Sequence, residues 1–266
     1  MNVIFDFDGT IVGPESLPLL ASVVLDGRHD RDDIVAEIER ITQMGMNNEI
    51  PFEESLARRL QLIRPHREHI AQATDILRQS VSPSLVRQRD FIRSHQDEFF
   101  VVSGGFREII VPIVDEIGFK EDHVFANTFL FDGEGFVTGC DTENPLSRSG
   151  GKAELIKGLG LEGQKIMIGD GYSDYEVFLK GAVDGIIIST EFVPPREFVT
   201  VRFLRPLVLM KLQQSFSLIL YLREYSSSYL FFTSLLRFIE LFEGMISNYN
   251  MKNIVTNKDR SYRFLS

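Results

Sequence analysis

The chain has a single cysteine, Cys140, which excludes an intramolecular disulfide framework and fits a reducing compartment. Long apolar runs are missing too. In the apolar C-terminal stretch the longest segments without a charge are 212–222 and 225–236. Both fall far short of the ~20 residues a helix needs to cross a bilayer, so no membrane span is expected. No charged leader and apolar segment resembling a secretory signal opens the sequence. Val3-Ile4-Phe5 starts almost at once and leads into Asp6, so no cleavable extension is expected and the setting reads as cytoplasmic. Positive charge is scarce: a formal charge of −10 disfavours nucleic acid or an anionic membrane as the main partner. Internal repeats are absent.

What is present is an ordinary globular composition, 44% apolar and 25% charged over 266 residues. That length holds one large domain, or a core with a smaller insert. The charge is uneven. Residues 1–200 carry 34 acidic and 19 basic side chains, whereas 201–266 carry 4 and 9, so the chain changes character near residue 200.

Short apolar runs recur at 2–7, 99–102, 165–168 and 185–188. Runs apolar on both faces indicate strands of a buried parallel sheet with helices between them, an α/β fold. Ligands in such sheets bind at the carboxyl ends of the strands. The first three runs lead into Asp6, Ser103 and Asp170, so three polar groups converge there. Between the first two runs, Ile34, Ile38 and Ile41 fall at helical spacing, as do Phe52, Leu56, Leu60 and Ile63, and then Ile70, Ala73, Leu77 and Val81. Pro51 marks the first turn of the middle helix. So much helix is too long for a simple crossover, and 13–84 reads as a helical cap set into a core of 1–12 plus 85–200. Segments 125–131 and 136–138 flank Asp132-Gly133-Glu134-Gly135, the pattern of a β-hairpin with a four-residue loop.

Asp6-Phe7-Asp8-Gly9-Thr10 places two carboxylates two residues apart at a strand end. Such a pair can divide the work of phosphoryl transfer, Asp6 attacking phosphorus and Asp8 protonating the leaving group and later activating water. Gly9 allows a close backbone approach to phosphate oxygens. An acidic turn capping a helix is the plainer reading of the same residues. Ser103-Gly104-Gly105 offers a hydroxyl and free amides before a helical pattern that resumes at Phe106; a plain N-cap is the alternative. Lys152 could screen charge between Asp6 and phosphate, or simply be solvated. Asp170, in Gly169-Asp170-Gly171-Tyr172-Ser173-Asp174, is a candidate Mg²⁺ ligand, with Asp174 holding a bound water or orienting the loop.

Four weak motifs in a fixed order make a strong one. Asp6–Thr10, Ser103-Gly104, Lys152 and 169–174 together resemble the haloacid dehalogenase superfamily, over about residues 1–195. The resemblance implies a Rossmann-like core with Mg²⁺ bound by Asp6, Asp170 and the backbone carbonyl of Asp8. A cap between the first two motifs is the arrangement of the phosphoserine phosphatase branch, and MGMNNEIPFEESLARRLQL at 44–62 looks like that branch's cap. Ser103-Gly104-Gly105-Phe106 and Phe125-Ala126-Asn127 fit its pattern as well. Carried over singly, Glu15 would contact the amine of phosphoserine and Arg59 its carboxylate, while Met46 and Phe52 would form an apolar lid. Arg59 lies two helical turns after Phe52 and shares its face, and a guanidinium clamps a carboxylate in bidentate fashion. The neighbouring Arg58 points roughly 100° away. As plainer readings, Phe52 could be core, and Arg59 could pair with Glu53 or Glu54 on a solvated helix. The sequence departs from the branch at Gly9, where serine is usual, and at Ser173, where asparagine or threonine is usual.

The resemblance fades near Pro194-Pro195. Beyond it Leu235, Phe238, Ile239 and Phe242 fall at helical spacing, which reads as an amphipathic helix for a homodimer or another interface. A second reading is a shifted frame: codons exist for 207–215 that in a neighbouring frame spell Ser-Phe-Asp-Glu-Val-Ala-Ala-Val, like the family's usual ending. The rival functions are a phosphatase or phosphotransferase for another small phosphate, such as phosphohomoserine or a phosphorylated sugar, and an inactive relic or binding protein.

Overall fold

The structure is a computed structural model that describes residues 1–47, 49–189, 191–192 and 219–222. Strand β1 (Asn2–Phe5) is followed by helices α1 (Ser16–Val24), α2 (Arg31–Met46), α3 (Phe52–Ile63) and α4 (Arg67–Arg78), then two short helices, α5 (Pro83–Arg87) and α6 (Arg89–Ser94). Next come β2 (Phe99–Phe106), α7 (Arg107–Glu116), β3 (Val124–Asn127), β4 (Phe129–Phe131) and β5 (Val137–Cys140). The order then runs α8 (Gly151–Gly158), β6 (Lys165–Gly169), α9 (Tyr172–Leu179), β7 (Gly185–Ile188) and β8 (Ile219–Leu222). The main sheet has the order β3-β2-β1-β6-β7-β8; its first five strands are parallel and β8 runs antiparallel to β7. This is the expected α/β architecture.

Alternation along each strand divides the core between the two faces of the sheet. Val3, Phe5, Phe99 and Val101 face α7 through Ile109, Ile110 and Ile113, in one apolar cluster that also takes in Leu20, Leu56, Leu60, Ile70 and Leu77 of the helical insert. Ile4, Phe100, Val102, Met167 and Ile186 face the other way, onto Ile156 of α8 and Val177 and Phe178 of α9. Each such fully buried side chain is worth about 1.5–3 kcal/mol. Phe5 is 1% exposed at the centre, and its truncation to alanine would cost about 3–5 kcal/mol.

The three helical patterns appear as α2, α3 and α4, with Val81 beyond the last of them. Pro51 stands one residue earlier than expected, as the extended residue before α3. The chain leaves the sheet through 11–13 and returns through 80–82, and these segments pair. Val12 bridges Val81 antiparallel, Gly13 N donates to Ser80 O at 3.1 Å, and Ser82 N donates to Ile11 O at 2.8 Å.

Two expectations need correction. Segment 125–131 is not one hairpin arm: its first part belongs to β3 in the main sheet, and β4 alone pairs with β5. The loop 132–135 is as expected, closed by Asp132 N donating to Phe136 O at 2.9 Å, while Asp132 Oδ1 accepts from the amides of Glu134 and Phe136. That hairpin holds the α3–α4 turn, with Val137 N donating to Pro65 O at 2.8 Å and Arg64 paired to Asp132 at 3.1 Å. Second, β2 does not stop at Val102 but runs to Phe106, with a register shift on the way, so Phe106 rather than Ser103 precedes the helix. The helical pattern at 235–242 and the alternative frame at 207–215 lie outside the described residues. No helix among the described residues is long and apolar enough to cross a membrane.

Candidate active site

Strand order explains why the motifs meet. β1 lies between β2 and β6, with Phe5 in register with both Val101 and Ile168. Asp6 is therefore level with Val102 and Gly169, and Ser103 and Asp170 each stand one residue further along. Asp6 N donates to Ile168 O at 2.8 Å, which holds the start of the loop to the sheet.

Lys152, in the first turn of α8, reaches into this convergence. Its Nζ lies 3.0 Å from Asp6 Oδ1 and 2.7 Å from Asp174 Oδ1. Burial acts to lower the lysine pKa, but the Asp174 and Asp6 carboxylates outweigh it and hold the ammonium firmly charged. Lys152 is thus no solvated surface residue. Asp174 is wholly buried; its Oδ2 accepts from Gly171 N at 3.2 Å. Gly169 makes room for it, because a Cβ there would stand 2.2 Å from the Asp174 carboxyl carbon.

Asp6 is pushed well up from its ordinary pKa, first by burial and then by Asp174, with Lys152 opposing. Asp8 is raised to about 7, chiefly by burial and next by Glu15, although Ser16 donates to it from both N and Oγ at 2.9 Å. Asp170 is raised to about 6 by burial, Asp174 and Glu15. Carboxylate oxygens of Asp6, Asp170 and Asp174 lie within 4.8 Å of one another. Asp174 already serves Lys152 and Gly171, which leaves Asp6 and Asp170 as the donors with capacity for a cation. Hard oxygen donors crowded enough to repel one another suit a hard divalent cation. Gly9 belongs to this packing: its φ is +68°, and a Cβ would sit 2.2 Å from Asp170 Oδ2. A side chain at this position would require the Asp170 carboxylate to shift and a left-handed backbone to be kept.

Ser103 is 1% exposed, and its Oγ accepts from Gly105 N at 3.0 Å rather than capping α7. Gly104 is exposed at the mouth of the site, and its carbonyl accepts from the fully buried Asn127 Nδ2 at 2.9 Å. Glu15 is exposed by surface area, yet protein atoms crowd its carboxyl enough to raise its pKa, with Lys152 and then Arg59 opposing. Arg59 is half-buried. Loss of hydration lowers its pKa, Glu15 opposes that shift, and its Nε donates to Ser55 O at 3.2 Å. Arg58, not Arg59, pairs with Glu54 on the solvated face, at 2.5 Å. Phe52 is 37% exposed and so not core. Met46 ends α2, and its side chain falls outside the described ones. Ser173 is exposed beside the acidic cluster.

Sequence reasoning missed two supports, Ser16 for Asp8 and the amide of Asn127 for the Gly104 carbonyl. Ser16 follows Pro14-Glu15 at a helix start, and Asn127 ends a strand; a polar residue at such a boundary is the signal available.

Residues 3–178 match the family model of the haloacid dehalogenase-like hydrolases. The chloroplastic phosphoserine phosphatase of Arabidopsis thaliana is 34% identical over 185 residues, covering 68% of this chain and 60% of that protein. The human phosphoserine phosphatase is 31% identical over 177 residues, covering 65% of this chain and 75% of that one. The chain spans less than two thirds of the plant relative's length. Among solved structures, a phosphoserine phosphohydrolase-like protein from Francisella tularensis superposes with a TM-score of 0.60 at 29% identity, over 70% of this chain and 85% of that one. A phospho-aspartyl intermediate analogue of phosphoserine phosphatase superposes at 0.53 with 22% identity, over 68% and 82%, a likeness of fold alone.

Proposed function

The chain belongs to the haloacid dehalogenase-like hydrolases, and from that membership we propose that it hydrolyses phosphomonoesters through Asp6, with O-phosphoserine as substrate and L-serine as product. The observation that carries this reading is a buried carboxylate held against a cation, Asp6 at 3.0 Å from Lys152, beside a second carboxyl raised to about 7.

A carboxyl with a pKa near the working pH can both give and take a proton. In the first step Asp6 Oδ attacks phosphorus while Asp8 delivers its proton to the departing serine oxygen, leaving an aspartyl phosphate. In the second, Asp8 takes a proton from the water that cleaves that acyl phosphate, and Asp6 is freed. Lys152 offsets negative charge on the phosphoryl oxygens, and the Ser103 hydroxyl offers them a donor. Asp6, Asp170 and the Asp8 carbonyl would hold Mg²⁺, which when bound supplies further positive charge at those oxygens. At the cap, Glu15 would take the substrate ammonium and Arg59 its carboxylate, under a lid of Met46 and Phe52. The nearness of Glu15 and Arg59 supports this, since each is felt in the other's pKa.

Phosphate release from a panel of phosphomonoesters with Mg²⁺, wild type against Asp6→Asn, tests the reading. Phosphoserine is expected to be the best substrate and the variant inactive on every member. A better turnover of phosphohomoserine or a sugar phosphate would move the substrate assignment. Release from none of them would end the hydrolase reading altogether.

A further inference from the structure

Past β7, residues 191–192 lie against the base of the helical insert. There Glu191 accepts from two buried hydroxyls, Ser82 Oγ of the return segment at 2.5 Å and Ser84 Oγ of the adjoining α5 at 3.2 Å. These serines are 1% and 4% exposed. Arg87 Nη2 donates to Ser84 Oγ at 3.1 Å, and Ser82 Oγ accepts from Leu85 N at 3.3 Å, so both hydroxyls have fixed roles. The next residue, Phe192, lies against the outgoing segment: a Cβ added to Gly13 would stand 2.9 Å from its ring. Two successive residues after β7 thus grip both strands of the connection through which the insert joins the sheet.

That connection is short and lies next to the chemistry. Ser82 N is bonded to Ile11 O, Asp8 bridges Val12, and Ser16 grips the Asp8 carboxylate. Glu15 follows Gly13 by two residues. A shift of 80–82 against 11–13 would therefore be passed to Glu15, while two donors from Ser16 keep hold of the Asp8 carboxylate.

We propose that Glu191 is a positioning residue: by holding Ser82 and Ser84 it sets the register of the paired segments, and so the placement of Glu15 and the insert's Arg59 over Asp6. Removing its carboxylate leaves the Ser82 hydroxyl buried without its acceptor, which favours separation of the pair. The catalytic part of this inference rests on the substrate reading above, whereas the structural part does not.

The test uses the full chain with Mg²⁺ and compares Glu191→Ala and Glu191→Gln with wild type. Three quantities are measured: kcat and KM on phosphoserine, the same on p-nitrophenyl phosphate, and amide hydrogen exchange at Gly13 and Ser82. For Glu191→Ala the expected loss of kcat/KM on phosphoserine is roughly ten- to a hundredfold, carried mainly by KM, with the aryl phosphate changed less than about threefold. Exchange at Gly13 and Ser82 should quicken by about tenfold or more while β1 and β6 amides stay protected. Glu191→Gln keeps an oxygen for Ser82 and should recover most of both effects. If Glu191→Ala does not fold, Ser84→Ala removes the longer bond and should show the same pattern at smaller amplitude. Equal loss on both substrates, or unchanged exchange at Gly13 and Ser82, overturns the proposal. If wild type does not act on phosphoserine, the substrate reading fails, and the exchange measurement still decides the role of Glu191.

Discussion

The two ends of the site are built differently. At the phosphoryl end, Lys152 is held between Asp6 and Asp174, and Asp174 commits one oxygen to it and the other to the Gly171 amide. These three side chains are at most 11% exposed, Asp6 just past β1 and Lys152 and Asp174 in the first turns of α8 and α9. At the cap end, Glu15 is exposed, Phe52 is 37% exposed, and Arg59 is tied by one bond to its own helix. Fixed, dry charges stabilise a developing charge without having to reorganise, so the first end suits chemistry common to every phosphomonoester. On the proposed reading, the open end chooses among them.

That contrast can be broken experimentally. Asp6→Asn removes the proposed nucleophile and is expected to lower kcat by at least about a thousandfold on phosphoserine and on an aryl phosphate alike. Retention of activity on either would remove Asp6 from the chemistry. Lys152→Met leaves two buried carboxylates facing each other, and kcat should fall about a hundred- to a thousandfold on both substrates. A loss confined to phosphoserine would make Lys152 a specificity residue and erase the distinction between the ends. Arg59→Ala removes the proposed charge-assisted contact to the substrate carboxylate, worth about 1.5–3 kcal/mol, roughly ten- to a hundredfold in kcat/KM on phosphoserine. The aryl phosphate should change only slightly, and equal damage to both would show that the ends are not separable.

The same contrast governs what could be read from the sequence. The convergence of Asp6, Ser103 and Asp170 was legible because each follows an apolar run, and parallel neighbours in register bring such endings together. Lys152 was weaker alone, since nothing in Gly150-Gly151-Lys152 tells a buried cation from a solvated one; its two carboxylate partners come from distant segments. The split of 125–131 into β3 and β4 was obscured because its three phenylalanines and Thr128 favour strands, with only Asn127 at the boundary against them. Pairing with β2, a tertiary fact, decides where the first strand ends. Extension of β2 through Ser103-Gly104-Gly105 was missed for the opposite reason. Glycines there read as a turn, yet the chain re-enters the sheet at Phe106 opposite Asn127. Arg59 could be separated from Arg58 by helical angle, and the structure gives Glu54 to Arg58. Ser16 could not be found by periodicity, because its contact to Asp8 crosses a turn.

Charge crowding at the phosphoryl end has a consequence for stability, smaller than the losses above. An unburied aspartate ionises near 3.8, whereas Asp8 is raised to about 7 and Asp170 to about 6. Between about pH 4 and pH 7 the folded, metal-free chain therefore keeps protons that the unfolded chain has released. When the folded state binds more protons, stability falls as pH rises, so across this window the site destabilises the fold progressively. Asp8→Asn removes one such group and keeps an oxygen for Ser16. In chelator, the variant should exceed wild type in unfolding free energy by on the order of 1 kcal/mol at about pH 7.5 and lose that advantage at about pH 4. Added Mg²⁺ should raise the wild-type Tm more at the higher pH, because its ligands must first be deprotonated. Denaturant titrations at both pH values check the sign. An advantage of Asp8→Asn that grew toward low pH would mean that Asp8 is stabilised as the anion, and its part as the proton donor would have to pass to another group.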